Sequence, residues 1–164
     1  MSFAVTKRKR SISDMSAIFQ NHALVAGLIA MFLAQFMKPF TNYWLNKEWD
    51  FSQIFALGGM PSSHSSFVTA TALVTGMRRG FDSEVFAVAA VFAIIVMYDA
   101  ANVRWQSGIH AQRINQILKE LFKGQPLSEA TLKEVIGHTP RQVYAGLLLG
   151  LIVGLVVEEV WLVI

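Results

Sequence analysis

Four apolar blocks, with the charges gathered between them, limit what this chain can fold into. They are "ALVAGLIAMFLAQFM" (23–37), "SSFVTATALVTGM" (65–77), "VFAVAAVFAIIVMY" (85–98) and "VYAGLLLGLIVGLVV" (143–157). Each is shorter than the ~20 residues that cross a bilayer comfortably, but flanking residues extend each one. The third and fourth are apolar on every side, whereas a helix of a soluble bundle carries one apolar stripe. Charged residues make up 15% of the chain, against roughly 25% in a soluble domain. The expected fold is therefore an all-α integral membrane helical bundle with about four transmembrane helices plus amphipathic surface helices. Gly146, Gly150 and Gly154 repeat every fourth residue of the last block, an interval that lets helix backbones approach closely in lipid.

The chain divides into a basic tail, residues 1–20, and one membrane helical domain, residues 21–164. The run Lys7-Arg8-Lys9-Arg10 suits anionic headgroups or fixes orientation, and it forms no nucleic-acid stripe. The residues after it, "SISDMSAIFQNH", are too polar for the core of a cleavable signal. With the tail in the cytoplasm, alternating spans return Arg78-Arg79 to that side. The same alternation brings Lys38, His64, Arg104 and His110 to one membrane face, whichever face that is.

Between the third and fourth blocks, Ile114, Ile117, Leu118, Leu121 and Phe122 follow the spacing of an amphipathic helix. Gly124 and Pro126 end it, and "SEATLKEVIG" (128–137) is expected to form a second short helix. His22, Trp44 and Trp49 are expected as interfacial decoration at the span ends.

The chemistry is concentrated in "GGMPSSHSS" (58–66), a glycine turn followed by a serine-rich helix start. A helix start offers unpaired N–H groups and positive dipole character to an anion. Lys38 adds a point charge and Arg104 a planar fork suited to phosphate oxygens. A histidine can carry a phosphoryl group on nitrogen, and a second can protonate the leaving alcohol. The bland alternatives are an N-cap at Ser62-Ser63, an Asp99–Arg104 pair, and a helix-start turn at His138-Thr139-Pro140. There is no cysteine, and the four histidines lack metal-ligand spacing. No metal and no cofactor are expected.

"PSSH" followed by Arg104-x5-His110 resembles the type 2 phosphatidic acid phosphatase and haloperoxidase superfamily. "GGMPSSHSS", "IVMYDAANVR" and "GHTPRQV" look more closely like its divergent membrane branch, small bacterial and plant proteins. The likeness covers about residues 20–155. It implies His110 as nucleophile and His64 as general acid. Lys38, Ser62, Ser63 and Arg104 would hold the phosphate, aided by backbone N–H groups at Ser62 and Ser63. The chain departs from the superfamily pattern at Leu45, Ser63, Val103 and Ile114. Ile114 stands where the pattern has the aspartate that orients the nucleophile. Asp99, Asn115, His138 and Arg141 are the residues available to compensate.

The resemblance implies hydrolysis of a lipid phosphomonoester or pyrophosphate through a phosphohistidine, in a bacterial cell membrane. The alternative is a non-catalytic membrane protein that binds an anionic lipid headgroup or acts in lipid handling or assembly. A small transporter is a weaker option, because no inverted pair of broken helices is visible. The expected partners are a lipid phosphate and the membrane, with no nucleic acid, and a homo-oligomer is left open.

Overall fold

The computed structural model describes residues 17–56, 58–121, 132 and 137–163. After a short 3-10 turn at Ala17–Gln20, the helices are α1 (His22–Asn46), α2 (Ser63–Arg79), α3 (Glu84–Tyr98), α4 (Arg104–Leu121) and α5 (Pro140–Val163). A π turn, Asp99–Val103, joins α3 to α4, so the two form one uninterrupted helix of 38 residues. Gly108 does not break this helix; it lies buried within it. One glycine costs a helix only about 1 kcal/mol, which packing readily overrides.

Among the described residues, three helices are long and apolar enough to cross a membrane: α1, the α3–α4 rod and α5. The expected count of four holds only in part. The remaining apolar block became α2, which has 17 residues, is rich in Ser and Thr, and lies between the others. α2 packs against α1, α3 and α5. Three of its hydroxyls are satisfied by the helix's own backbone. The hydroxyls of Ser66, Thr71 and Thr75 donate to carbonyls four residues back, at 2.9, 2.8 and 2.7 Å. A helix that meets its own polar demand can sit at the centre of a membrane bundle.

Small residues set the spacing of the helices. Ala26, Ala30 and Ala34 of α1 are wholly buried. The glycine stripe of α5 rests on α2. A Cβ at Gly146 would lie 2.4 Å from the Ser62 carbonyl oxygen, and one at Gly150 would lie 2.6 Å from that of Ser66. Dispersion and close backbone approach hold such helices together where lipid removes the hydrophobic drive. α3 buries only Ala93 and exposes Val85, Val88, Val91, Phe92, Ile94 and Ile95, an apolar surface suited to lipid.

α4 differs from its expected form. Its buried stripe is Gly108, Ala111 and Asn115, while Ile114, Ile117 and Leu121 face outward. It continues α3 past the end of the bundle, so the bundle offers its apolar stripe no surface to cover. The second short helix expected at 128–137 lies mostly outside the described residues, as does the tail through residue 16.

At the end of the bundle where α1 begins and α2 and α5 finish, Arg78 Nε donates to Glu158 Oε1 at 2.6 Å. His22 lies against Arg78, with Nδ1 3.8 Å from Glu158 Oε2, and its ring stacks on Trp161 at 4.1 Å. His22 is thus part of an interhelical clamp rather than interfacial decoration. At the other end, Trp49 stacks with Tyr43 and Phe51, at 4.5 and 5.7 Å. Trp44 and Phe55 stand exposed beside them, an aromatic belt of the kind found where a bilayer meets water.

Candidate functional site

The aromatic end gathers most of the chemistry. Lys38, in the last third of α1, is 1% exposed, and its Nζ donates to the Ala56 carbonyl at 2.7 Å. An ammonium has three donors, and no carboxylate pairs with this one among the described residues. A buried cation without a counter-charge is costly and favours an anion beside it. A cavity of about 100 Å³ adjoins it, lined by Lys38, Thr41, Gln53, Gly59 and Gln142 among others. Gly59 has φ +91°, a left-handed turn that glycine adopts without strain. One turn back on α1, Gln35 Oε1 is also buried without a partner.

The chain then enters α2 through Pro61 and Ser62. Ser62 is fully buried and occupied by the fold. Its N–H donates to the Gln142 carbonyl at 3.0 Å, and its hydroxyl accepts the Ser65 N–H at 3.3 Å as the helix cap. The N–H expected at Ser62 for an anion is therefore already spent on α5. Ser63 and His64 follow as the first two residues of α2, whose N–H groups have no partner within the helix.

The π turn shapes the opposite wall. The Arg104 N–H bonds the Asp99 carbonyl, five residues back. That spacing brings the two side chains to one side of the rod, and Arg104 Nε donates to Asp99 Oδ2 at 2.6 Å. The pair is not buried: the side chains are 47% and 37% exposed. Next on the same turn, the Ala100 carbonyl accepts the His138 N–H at 3.1 Å. Gly137 makes this docking sterically feasible, since a Cβ there would lie 2.3 Å from the Trp105 backbone nitrogen. π turns recur at functional sites because they re-aim backbone and side chains together.

His138 is the residue whose importance the sequence concealed. It is 2% exposed, and neither ring nitrogen has a hydrogen-bond partner among the described residues. Its ring stands edge-on to His64, with centroids 6.2 Å apart. Burial, reinforced by the charges of Lys38, His64 and Arg104, holds its pKa down at about 4. It is therefore neutral at pH 7, with a free lone pair. Lys38, Arg104 and Asp99 are also within electrostatic reach of the His64 imidazole.

The structure thus brings together Lys38, Ser63, His64, Arg104, Asp99 and His138. The remaining expected residues stand apart. His110 is exposed on α4, six residues beyond Arg104 and so about 9 Å further along the helix. No hydrogen bond, ion pair or ring contact joins it to the others among the described residues. Asn115 is buried and holds Leu132 by both backbone groups, at 2.9 and 3.0 Å, a role in the fold. Arg141 is exposed at the start of α5. The sequence signal for His138 was "GHTPRQV" itself. Nothing in its spacing told that both ring nitrogens would be left unpaired.

Comparison with known proteins gives the family and little more. Residues 19–153 match the family described as the divergent PAP2 family. YuiD, an uncharacterized membrane protein of Bacillus subtilis (strain 168), is 34% identical over 150 residues. The match covers 85% of this chain and 95% of YuiD. No solved structure matches the chain.

Proposed function

The chain belongs to the divergent PAP2 family and is a membrane protein, and from that premise we propose that it hydrolyses a lipid phosphomonoester or pyrophosphate at the Lys38–His64 end. The observation that carries this reading is a buried lysine with no carboxylate partner among the described residues, close to two imidazoles, an arginine and a helix start. Lys38 neutralises phosphate charge, as do the unpaired N–H groups of Ser63 and His64. Arg104 swings between Asp99 and a phosphate oxygen. His64, exposed at the start of α2, protonates the leaving alcohol. The aromatic belt keeps this end at headgroup depth, so an acyl-chain substrate reaches it without leaving the bilayer. In this reading α2 crosses alongside the other three helices, shielded by them from lipid.

The test is phosphate release from a panel of lipid phosphates by the full chain in detergent. The expected result is hydrolysis of at least one of them, reduced about a hundredfold to ten-thousandfold by His64→Ala. Release equal in the variant and the unaltered chain rules the reading out.

The second reading, a non-catalytic holder of an anionic headgroup, draws on Ile114 and on the exposed position of His110. An imidazole without an orienting carboxylate has no fixed tautomer. Binding of a lipid phosphate without turnover by any member of the panel favours it.

A further inference from the structure

The family pattern assigns the phosphoryl group to His110, yet that residue stands exposed and about two turns along α4 from Arg104. From the geometry we propose that His138 is the imidazole that attacks phosphorus, with His64 as its acid–base partner. The proposal rests on reading this end as a phosphate site. It goes further by naming the covalent residue.

Buried polar atoms almost always find partners, so a buried imidazole with both nitrogens unpaired calls for an explanation. His138 is such a residue, and the charges around it are those that would grip a phosphate: Lys38, Arg104 and the start of α2. Gln35 Oε1, one turn before Lys38 on α1, is also buried without a partner among the described residues. The backbone that carries the ring is anchored. It donates to Ala100 on the π turn, and Gly137 is pressed against Arg104 and Trp105. A nucleophile gains from a Cα fixed in place, which here comes from backbone contacts. Thr139 N–H bonds Gln142 Oε1 at 3.0 Å and closes the turn behind it.

The step balances without a co-reactant other than water. A ring-nitrogen lone pair of His138 attacks phosphorus, the P–O bond to the lipid breaks, and protonated His64 gives its proton to the departing oxygen. Water then attacks the phosphorus of the phosphohistidine, giving its proton to His64. The P–N bond breaks, inorganic phosphate leaves, and His138 recovers its lone pair. The low pKa of His138 keeps that lone pair free at neutral pH.

The test separates this role from the broader reading. Full-length chain in detergent is given a ³²P-labelled lipid phosphate and quenched in alkali, where phosphohistidine survives, and the labelled peptide is mapped. Orthovanadate binding is measured in parallel on the unaltered chain, His138→Asn and His110→Asn. The expected result is label on His138, vanadate binding weakened at least about a hundredfold by His138→Asn, and turnover within about threefold of normal in His110→Asn. Label on His110, or turnover with no label at His138, overturns the role of His138 and leaves the phosphate site standing. An unaltered chain that binds neither vanadate nor lipid phosphate overturns both. Should His138→Asn fail to fold, the mapped label on the unaltered chain decides alone.

Discussion

At one end of the bundle Arg78, Glu158 and His22 answer one another. At the other, about 20–30 Å away along the same three helices, Lys38 and His138 are buried with no carboxylate partner among the described residues. Both ends bury charge near the water boundary, but the first pairs its cation with a carboxylate, although Glu158 Oε2 has no hydrogen-bond partner among the described residues. Glu158, 4% exposed on a span, is tied to Arg78 of α2 and reaches His22 of α1, and so fixes where three helices meet. The second end has no carboxylate for its lysine, and both nitrogens of its buried imidazole are unpaired among the described residues. Cavity size does not tell them apart. The larger cavity, about 770 Å³, lies at the clamp end among His22, Thr75, Arg78 and Arg79. There Arg78 already pairs with Glu158, so the smaller cavity beside the buried Lys38 has the greater demand for an anion.

Substitutions should separate the two ends. The largest effect is expected from His64→Ala. It should lower phosphate release from the preferred lipid phosphate about a hundredfold or more while the thermal midpoint in detergent barely moves. Next is Arg78→Met, which leaves Glu158 charged and buried. It should destabilise the chain by about 3–5 kcal/mol, read as a lower unfolding midpoint, with activity per folded molecule retained. Adding Glu158→Leu to it should recover most of that loss, because an apolar pair of similar size replaces a buried ion pair nearly neutrally. Failure of that recovery would mean that the clamp does more than hold the helices.

A smaller effect is expected from pH. The folded pKa of His138 lies at about 4, below its unfolded value of 6.5. Between those values the unfolded chain binds more protons, so stability should fall as pH drops from about 6.5 toward 4 and stay flat above that window. His138→Asn should flatten this part of an unfolding-versus-pH curve, and an unchanged slope would place the titration elsewhere. The smallest effect is expected from Asp99→Asn. The Asp99–Arg104 pair is half-exposed, so the change in stability should be within about 1 kcal/mol, while Arg104 is released toward the phosphate position. A shift in KM with kcat held would mark that release.

Much of the bundle was readable along the chain because its causes are local. Apolar blocks became helices, and the four-residue glycine repeat became the seam on α2. "PSSH" became a helix start beside a buried lysine. Other features were not readable. The apolar residues of α4 follow a helical period, but period says nothing about whether a partner surface exists, and here the rod outruns the bundle. His22 looked like decoration because Arg78 and Glu158 are 56 and 136 residues away in sequence.

By itself the sequence determined that this chain is helical, that it belongs in a membrane, and that one end carries basic and imidazole groups. Those properties follow from hydropathy, spacing and side-chain chemistry, which act residue by residue. Only the tertiary structure decided which imidazole faces His64. That depended on a π turn offering the Ala100 carbonyl, on Gly137 lying flat against Trp105, and on the rod carrying His110 away. Each is a meeting of segments distant along the chain, and partnership in a buried site is set by such meetings.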